Sequence, residues 1–169
     1  LDRQILAQVG NLVLSKVSEL HARAKIEEIR ILVHAAERYL AMVAVPLAAF
    51  LIAAASSTLA LAYGSEAAAG AATFSILALV GASSAINRPY AQAVTGMNRP
   101  VFMLWLGLLI AGLDAILNVV FIPESFMGVR MLDMGIEGAA LSTLIAGLAG
   151  TVANRYFAWK VGQVGFPWH

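Results

Sequence analysis

Asp114 is the one charged residue in an otherwise uncharged stretch, residues 100–123. Asn118 follows four positions later, so a helix would place both side chains on one face. A carboxylate near the middle of a bilayer costs about 2.5–3.5 kcal/mol on insertion scales. Such a group must face protein or a water-filled cavity. Asp114 and Asn118 therefore either lock two helices together by hydrogen bonding or line a substrate or cation pathway, and the sequence leaves both roles open.

The other reactive residue types form no pattern that indicates catalysis or metal binding. His21, His34 and His169 lie in a linker or a terminus, without the His-x-x-x-His or Glu-x-x-His spacing that holds a metal, and we expect them to be solvated. The serines lack the Gly-x-Ser-x-Gly turn of a nucleophile, and Cys is absent. We expect no enzyme activity, no metal and no cofactor.

The composition indicates a lipid environment. Hydrophobic residues make up 60% of the 169 positions and charged residues only 12%, against about 25% charged in soluble domains. Eleven basic and ten acidic residues give a net charge of +1, without the basic stripe that a nucleic-acid partner requires. The first residue is Leu and no signal peptide is evident. We expect the chain to be part of a larger membrane protein.

Four segments are long and apolar enough to cross a bilayer, which takes about 20 helical residues. The predicted spans are residues 39–65, 67–87, 100–123 and 134–159, the last with an uncharged centre at 138–154. The period-two alternation of a membrane barrel is missing. The predicted fold class is therefore all-α integral membrane, with four transmembrane helices.

Residues 1–38 are predicted to be a cytoplasmic segment that contains the inner end of a preceding helix and an amphipathic helix. Ile29 and Val33 share its apolar face, opposite Arg30 and His34. This helix either lies along the membrane surface or packs on neighbouring helices as a linker.

The distribution of basic residues predicts the orientation of the spans. Ten of the 11 Lys and Arg residues fall in residues 1–38, in the loop 87–99 or after residue 154. These regions, including the loop residues Arg88 and Arg99 and the tail 160–169, should be cytoplasmic. Residues 64–66 and 124–137 should face the opposite side.

Small and aromatic residues suggest how the spans pack and where they meet the interface. Gly138, Ala139 and Ala140 begin the fourth span with a surface on which another helix can approach closely. Pro46 should bend the first span. The aromatic residues predicted to anchor the helices at the membrane interface are Tyr39, Tyr63, Tyr90, Tyr156 and Trp159.

Two blocks of the sequence resemble the multidrug, oligosaccharidyl-lipid and polysaccharide exporter superfamily. In the first block, residues 113–123 read LDAILNVVFIP and residues 135–143 read GIEGAALST. The polysaccharide flippases similarly have an Asn-rich helix ending in Leu-Ile-Pro, a loop, and then Gly-x-x-Gly-Ala-Ala. The second block, residues 14–20 and 38–47, resembles the family's cytoplasmic connection and the start of its next helix. The resemblance covers about residues 10–160.

The resemblance implies a piece of the second lobe of a transporter of about twelve to fourteen helices in the cytoplasmic membrane. Its implied function is to flip a lipid-linked oligosaccharide or polysaccharide precursor by alternating access. The implied partners are membrane lipid, the lipid-linked sugar and the remainder of the transporter chain. A cation-coupled multidrug exporter of the same superfamily and a small non-transporting membrane subunit are the alternatives.

The sequence departs from the family pattern in two respects. Asp114 stands where the family more often has Asn. Basic cavity residues of such flippases meet the pyrophosphate, whereas no Lys or Arg falls inside residues 39–65, 67–87 or 100–123 or inside the uncharged centre 138–154 of the fourth span. The resemblance therefore gives no reason to expect headgroup binding by this half.

Overall fold

The computed structural model describes residues 2–126, 129–130 and 132–162, with side chains for residues 12–124 and 132–160. This part of the chain is helical except for one short strand pair. The helices are α1 (Asp2–Ala22), α2 (Ile26–Ala53), α3 (Ala55–Tyr63), a 3-10 helix (Ser65–Gly70), α4 (Ala71–Gly96), α5 (Pro100–Phe121) and α6 (Gly135–Gly162). Strands β1 (Ser125–Phe126) and β2 (Val129–Arg130) pair antiparallel.

Four helical segments are long and apolar enough to span a membrane: α2, α4 with the preceding 3-10 helix, α5 and α6. The predicted all-α class with four helices of spanning length is therefore confirmed. The helix boundaries differ from the predicted spans at their charged ends, and the predicted first span, residues 39–65, is divided at Ala54 between α2 and α3. Residues 26–38 form the first turns of α2 and are continuous with the span, so they are not a separate amphipathic helix. Residues 163–169 of the predicted tail lie outside the described residues.

The predicted loop 87–99 is mostly helix. α4 continues through Arg88 and Pro89 to Gly96, so only residues 97–99 connect it to α5. The placement of Arg88 in a loop was therefore wrong. The helix persists because Ala93 and Val94, beyond the charged residue, are fully buried against the neighbouring helices.

The spanning helices form a layer in which α4 and α6 are central. α6 packs between α4 and α5, and α2 packs on the other side of α4. α1 folds back over α2 and α4. Successive spans reverse direction, so the turns 23–25 and 97–99 lie with the end of α6 at one end of the layer, here called the basic end. The strand pair and the 3-10 helix lie at the opposite end.

The hydrophobic core is concentrated at the basic end. Val17 of α1, Val33 of α2 and Ala93 of α4 are completely buried there, and Ala158 of α6 joins them. Along the spans, in contrast, many large apolar side chains such as Phe50 and Leu109 are exposed. Such surfaces are stable only when lipid or other membrane helices cover them.

Glycines mark the closest approaches between helices. A Cβ on Gly96 would lie 2.8 Å from Cγ1 of Val17, so α1 rests directly on the α4 backbone. A Cβ on Gly138 would lie 2.7 Å from the carbonyl oxygen of Phe121, so α6 begins in contact with the end of α5. Ala140, two residues after Gly138, is buried, and Ala139 is half-buried.

Candidate functional site

The structure places Asp114 and Asn118 on α5, but gives them different surroundings. Asn118 Oδ1 accepts a hydrogen bond of 2.6 Å from the Oγ of Ser142, a fully buried residue of α6. Asp114 lies one turn away, and its Oδ1 is buried without a hydrogen-bond partner among the described residues. Asn118 thus joins α5 to α6, whereas one oxygen of Asp114 has no such contact.

A second set of polar residues, here called the polar cluster, lies at the basic end and consists of His34, Glu37, Tyr90 and Arg155. The Tyr90 hydroxyl donates a 2.6 Å hydrogen bond to Glu37 Oε2, and Arg155 Nη2 donates to Glu37 Oε1. His34 Nδ1 lies 3.3 Å from the same hydroxyl. The guanidinium carbon of Arg155 lies 4.8 Å from the centre of the Tyr90 ring, a cation–π distance.

The polar cluster corrects two sequence expectations. His34 was expected to be solvated, but its side chain is only 24% exposed. Tyr90 was expected to anchor the helix at the interface, yet it is 3% exposed. Both are drawn inward because Glu37 and Arg155 need polar partners where the three helices α2, α4 and α6 meet.

Sequence reasoning missed the Glu37–Arg155 pair, although one signal pointed to it. Glu37 follows Ile29 and Val33 at intervals of four, so it lies on the buried face of α2. Its partner is 118 positions away, beyond the reach of any local pattern. The pair has side chains 19% and 25% exposed, unlike the exposed ion pairs of α1.

The α1 ion pairs illustrate the contrast. The hydrogen bond from the Lys16 ammonium and its charge, together with Arg23, hold the pKa of the Glu19 carboxyl below its ordinary value. All three side chains are well exposed, and solvent screening leaves such pairs little effect on stability.

A cavity of about 390 Å³, here called the polar cavity, lies between α4, α5 and α6. Its polar lining comes mainly from Asn87 and Arg88 of α4 and from Thr151 and Asn154 of α6. Asn154 is 6% exposed. The Oδ1 atoms of Asn87 and Asn154 are buried and have no hydrogen-bond partner within the described residues.

A second cavity of about 430 Å³, here called the apolar groove, lies between α2 and α4. Its walls consist of apolar and small residues, among them Leu40 and Leu51 of α2 and Phe74 of α4. Gly81 and Ala85 border both this groove and the polar cavity. The two spaces therefore adjoin along one face of α4.

Apolar helices of spanning length, exposed apolar flanks and partly enclosed polar groups define a polytopic helical membrane protein. Within the described residues, no group of three His, Cys, Asp or Glu side chains is placed to hold a metal ion. No protein-family model, curated protein or solved structure matches the chain. The resemblance to the exporter superfamily accordingly rests on the two sequence blocks.

Proposed function

We propose that the chain is part of a flippase that moves a lipid-linked oligosaccharide or polysaccharide precursor across the cytoplasmic membrane by alternating access. The observation that carries the transport role is the buried Oδ1 of Asp114, which has no partner among the described residues. The lipid-linked sugar as substrate rests on the resemblance of the two sequence blocks. A residue kept only to join helices would be hydrogen-bonded, as Asn118 is. A costly carboxyl group without such a bond is a mark of function inside a membrane.

The arrangement of the first resemblance block also supports the proposal. Residues 113–123 form the end of α5 and residues 135–143 the start of α6. These two parts touch at Asn118 and Ser142, and again at Phe121 and Gly138. The residues that carry the resemblance are therefore neighbours in space as well as in sequence.

The same observation favours cation-coupled multidrug export as the second candidate. A carboxyl group that is protonated in one arrangement of the transporter lobes and ionised in the other would bias the equilibrium between them. Coupling to a cation is compatible with either a lipid-linked sugar or a drug as the substrate. The identity of the transported substrate therefore distinguishes the two candidates.

The test is transport by the purified full-length protein in proteoliposomes, measured against pH and Na⁺ concentration. We expect the wild-type protein to flip a lipid-linked oligosaccharide. Asp114→Asn preserves size and should preserve folding while removing the dependence on pH or Na⁺. Glu137→Gln, at an exposed acid of α6, is the matched control and should behave like wild type.

Each contrary result has a definite meaning. Failure of the wild-type protein to move lipid-linked sugar would refute the flippase, and drug export in its place would establish the second candidate. Absence of any transport would favour a non-transporting subunit. If transport by Asp114→Asn depends on pH and Na⁺ as transport by the wild-type protein does, Asp114 has only a structural role.

A further inference from the structure

The apolar groove and the polar cavity follow each other along α4. Residues 74–85 of this helix border the groove, and residues 81–91 border the polar cavity. Because α4 runs toward the basic end, the polar cavity lies nearer that end and the groove extends deeper into the spanning region. A lipid in a bilayer has the same arrangement, because its polar headgroup lies nearer the membrane surface than its hydrocarbon chain.

The groove has the length of one lipid leaflet. Residues 74–85 cover about 16 Å at a rise of 1.5 Å per residue. Half of a hydrocarbon core of about 30 Å is about 15 Å. The lining residues on α2, which include Leu40 and Leu51, are all apolar or small. The groove therefore suits one acyl chain that reaches from the leaflet boundary to the bilayer centre.

Two side chains that line the polar cavity carry hydrogen-bond acceptors without donors. Asn87 and Asn154 each have a buried Oδ1 without a partner among the described residues, and Asn154 is more than nine-tenths buried. The Thr151 hydroxyl already donates to the Gly147 carbonyl, so its lone pairs remain to accept. Pro89 has no N–H to offer the carbonyl of Ala85, which lies where the two cavities join.

Arg88 adds a positive charge to this set of acceptors. Its side chain is exposed and lines the polar cavity, and it forms no ion pair within the part of the chain that the structure describes. A guanidinium binds a phosphate by paired hydrogen bonds. A ligand that provides partners for both Arg88 and the hydrogen-bond acceptors thus carries a phosphate together with N–H or O–H donors.

We propose that the apolar groove and the polar cavity together bind one glycerophospholipid of the leaflet at the basic end, with an ammonium or hydroxyl headgroup. One acyl chain lies in the groove between α2 and α4. The phosphate binds Arg88. The amide groups of Asn87 and Asn154 turn toward the cavity when the lipid binds, and the headgroup then donates to their oxygens. This lipid is a resident of the fold and is distinct from the transported substrate, so the inference does not depend on the proposed function.

The headgroup requirement gives a sharp test, because phosphatidylethanolamine has N–H donors and phosphatidylcholine has none. Binding of the dioleoyl form of each lipid to the purified protein is measured by native mass spectrometry. We expect phosphatidylethanolamine to bind about tenfold more tightly, the effect of hydrogen bonds from a charged donor. Asn154→Ala should reduce this preference, because it removes one of the two amide acceptors, and should leave phosphatidylcholine binding unchanged.

Two further variants test the phosphate and chain contacts. Arg88→Gln should weaken the binding of both lipids about tenfold. Arg99→Gln, at an exposed arginine outside the cavity, should leave their binding unchanged. Gly81→Leu should fill the junction of the two cavities and remove binding. A Cβ on Gly81 meets nothing within 4 Å, so this variant is expected to fold. Gly107→Leu on α5, equally unobstructed, is the control.

Equal affinity of the wild-type protein for the two lipids would overturn the inference, and this comparison requires no variant to fold. Unchanged binding by Gly81→Leu would likewise overturn it. A polyprenyl phosphate that displaces phosphatidylethanolamine from the site would assign the cavities to a carrier lipid, against the proposal. None of these measurements involves transport, so their failure is distinguishable from failure of the proposed function.

Discussion

Glu37 is the residue on which the polar cluster converges, because it accepts hydrogen bonds from both Tyr90 and Arg155. Removing one partner from a poorly solvated ion pair leaves the other charge uncompensated, and this cost exceeds the net contribution of the intact pair. The three helices that meet at the polar cluster therefore depend on a single carboxylate.

We expect Glu37→Gln to destabilise the protein by about 1.5–3 kcal/mol, the contribution typical of hydrogen bonds to charged groups. The matched control is Glu27→Gln, which removes an exposed carboxylate 3.8 Å from Arg30 and should cost less than about 1 kcal/mol. Thermal unfolding in detergent measures both. Equal melting temperatures for the two variants would show that the polar cluster contributes nothing to stability.

The importance of a single residue was predictable from the sequence only where it followed from the neighbouring residues in the chain. Asp114 stood out because a carboxyl group inside an apolar stretch is expensive wherever the rest of the chain lies. The burial of Tyr90 was not predictable, because it depends on Glu37, 53 positions away, and on Arg155 of a third helix. No spacing rule for one helix contains that information.

At the scale of the elements, hydrophobicity predicted which segments are helices but cut α2 and α4 short at their charged ends. α4 continues for eight residues beyond Arg88, and α2 begins twelve residues before Arg38. Charged residues end an apolar stretch without ending a helix, since their side chains reach solvent or a partner while the backbone hydrogen bonds continue. The ends depend on packing at the basic end, where α1 covers α4.

The junction of α5 and α6 provides a test of element packing. Gly138→Leu should disrupt it, because the Cβ of the new side chain would lie only 2.7 Å from the backbone carbonyl oxygen of Phe121. We expect a loss of about 1–3 kcal/mol, typical of overpacking, seen as a lower melting temperature in detergent. Gly112→Leu, on an open face of α5, should leave the melting temperature near wild type. An unchanged Gly138→Leu would mean that the two helix ends separate readily.

At the scale of the whole molecule, the layer has most of its described basic residues at one end. Arg23, Arg99 and Arg155 lie at the basic end, as alternating spans require. Positively charged ends of membrane helices stay on the cytoplasmic side. The structure thereby supplies the geometry for the predicted orientation, although its sidedness remains a prediction.

Cysteine labelling in intact cells tests this orientation, and residues 1–169 contribute no Cys of their own to the background. A Cys replacing Arg23 or Arg99 should resist an impermeant thiol reagent, whereas a Cys replacing Glu66 should react. All three positions are exposed, so each should react after permeabilisation. Labelling of Arg99→Cys from outside, with Glu66→Cys protected, would reverse the topology.

The distance in sequence between Glu37 and Arg155 also affects how the protein is made. The two residues are 118 positions apart, so at about 5–20 residues per second the ribosome produces Arg155 about 6–24 s after Glu37. During that interval α2 enters the membrane while Arg155, the ion-pair partner of Glu37, has not yet been synthesised. Only the arrival of α6 closes the basic end, which makes assembly of this layer a post-insertion event timed by translation of its last helix.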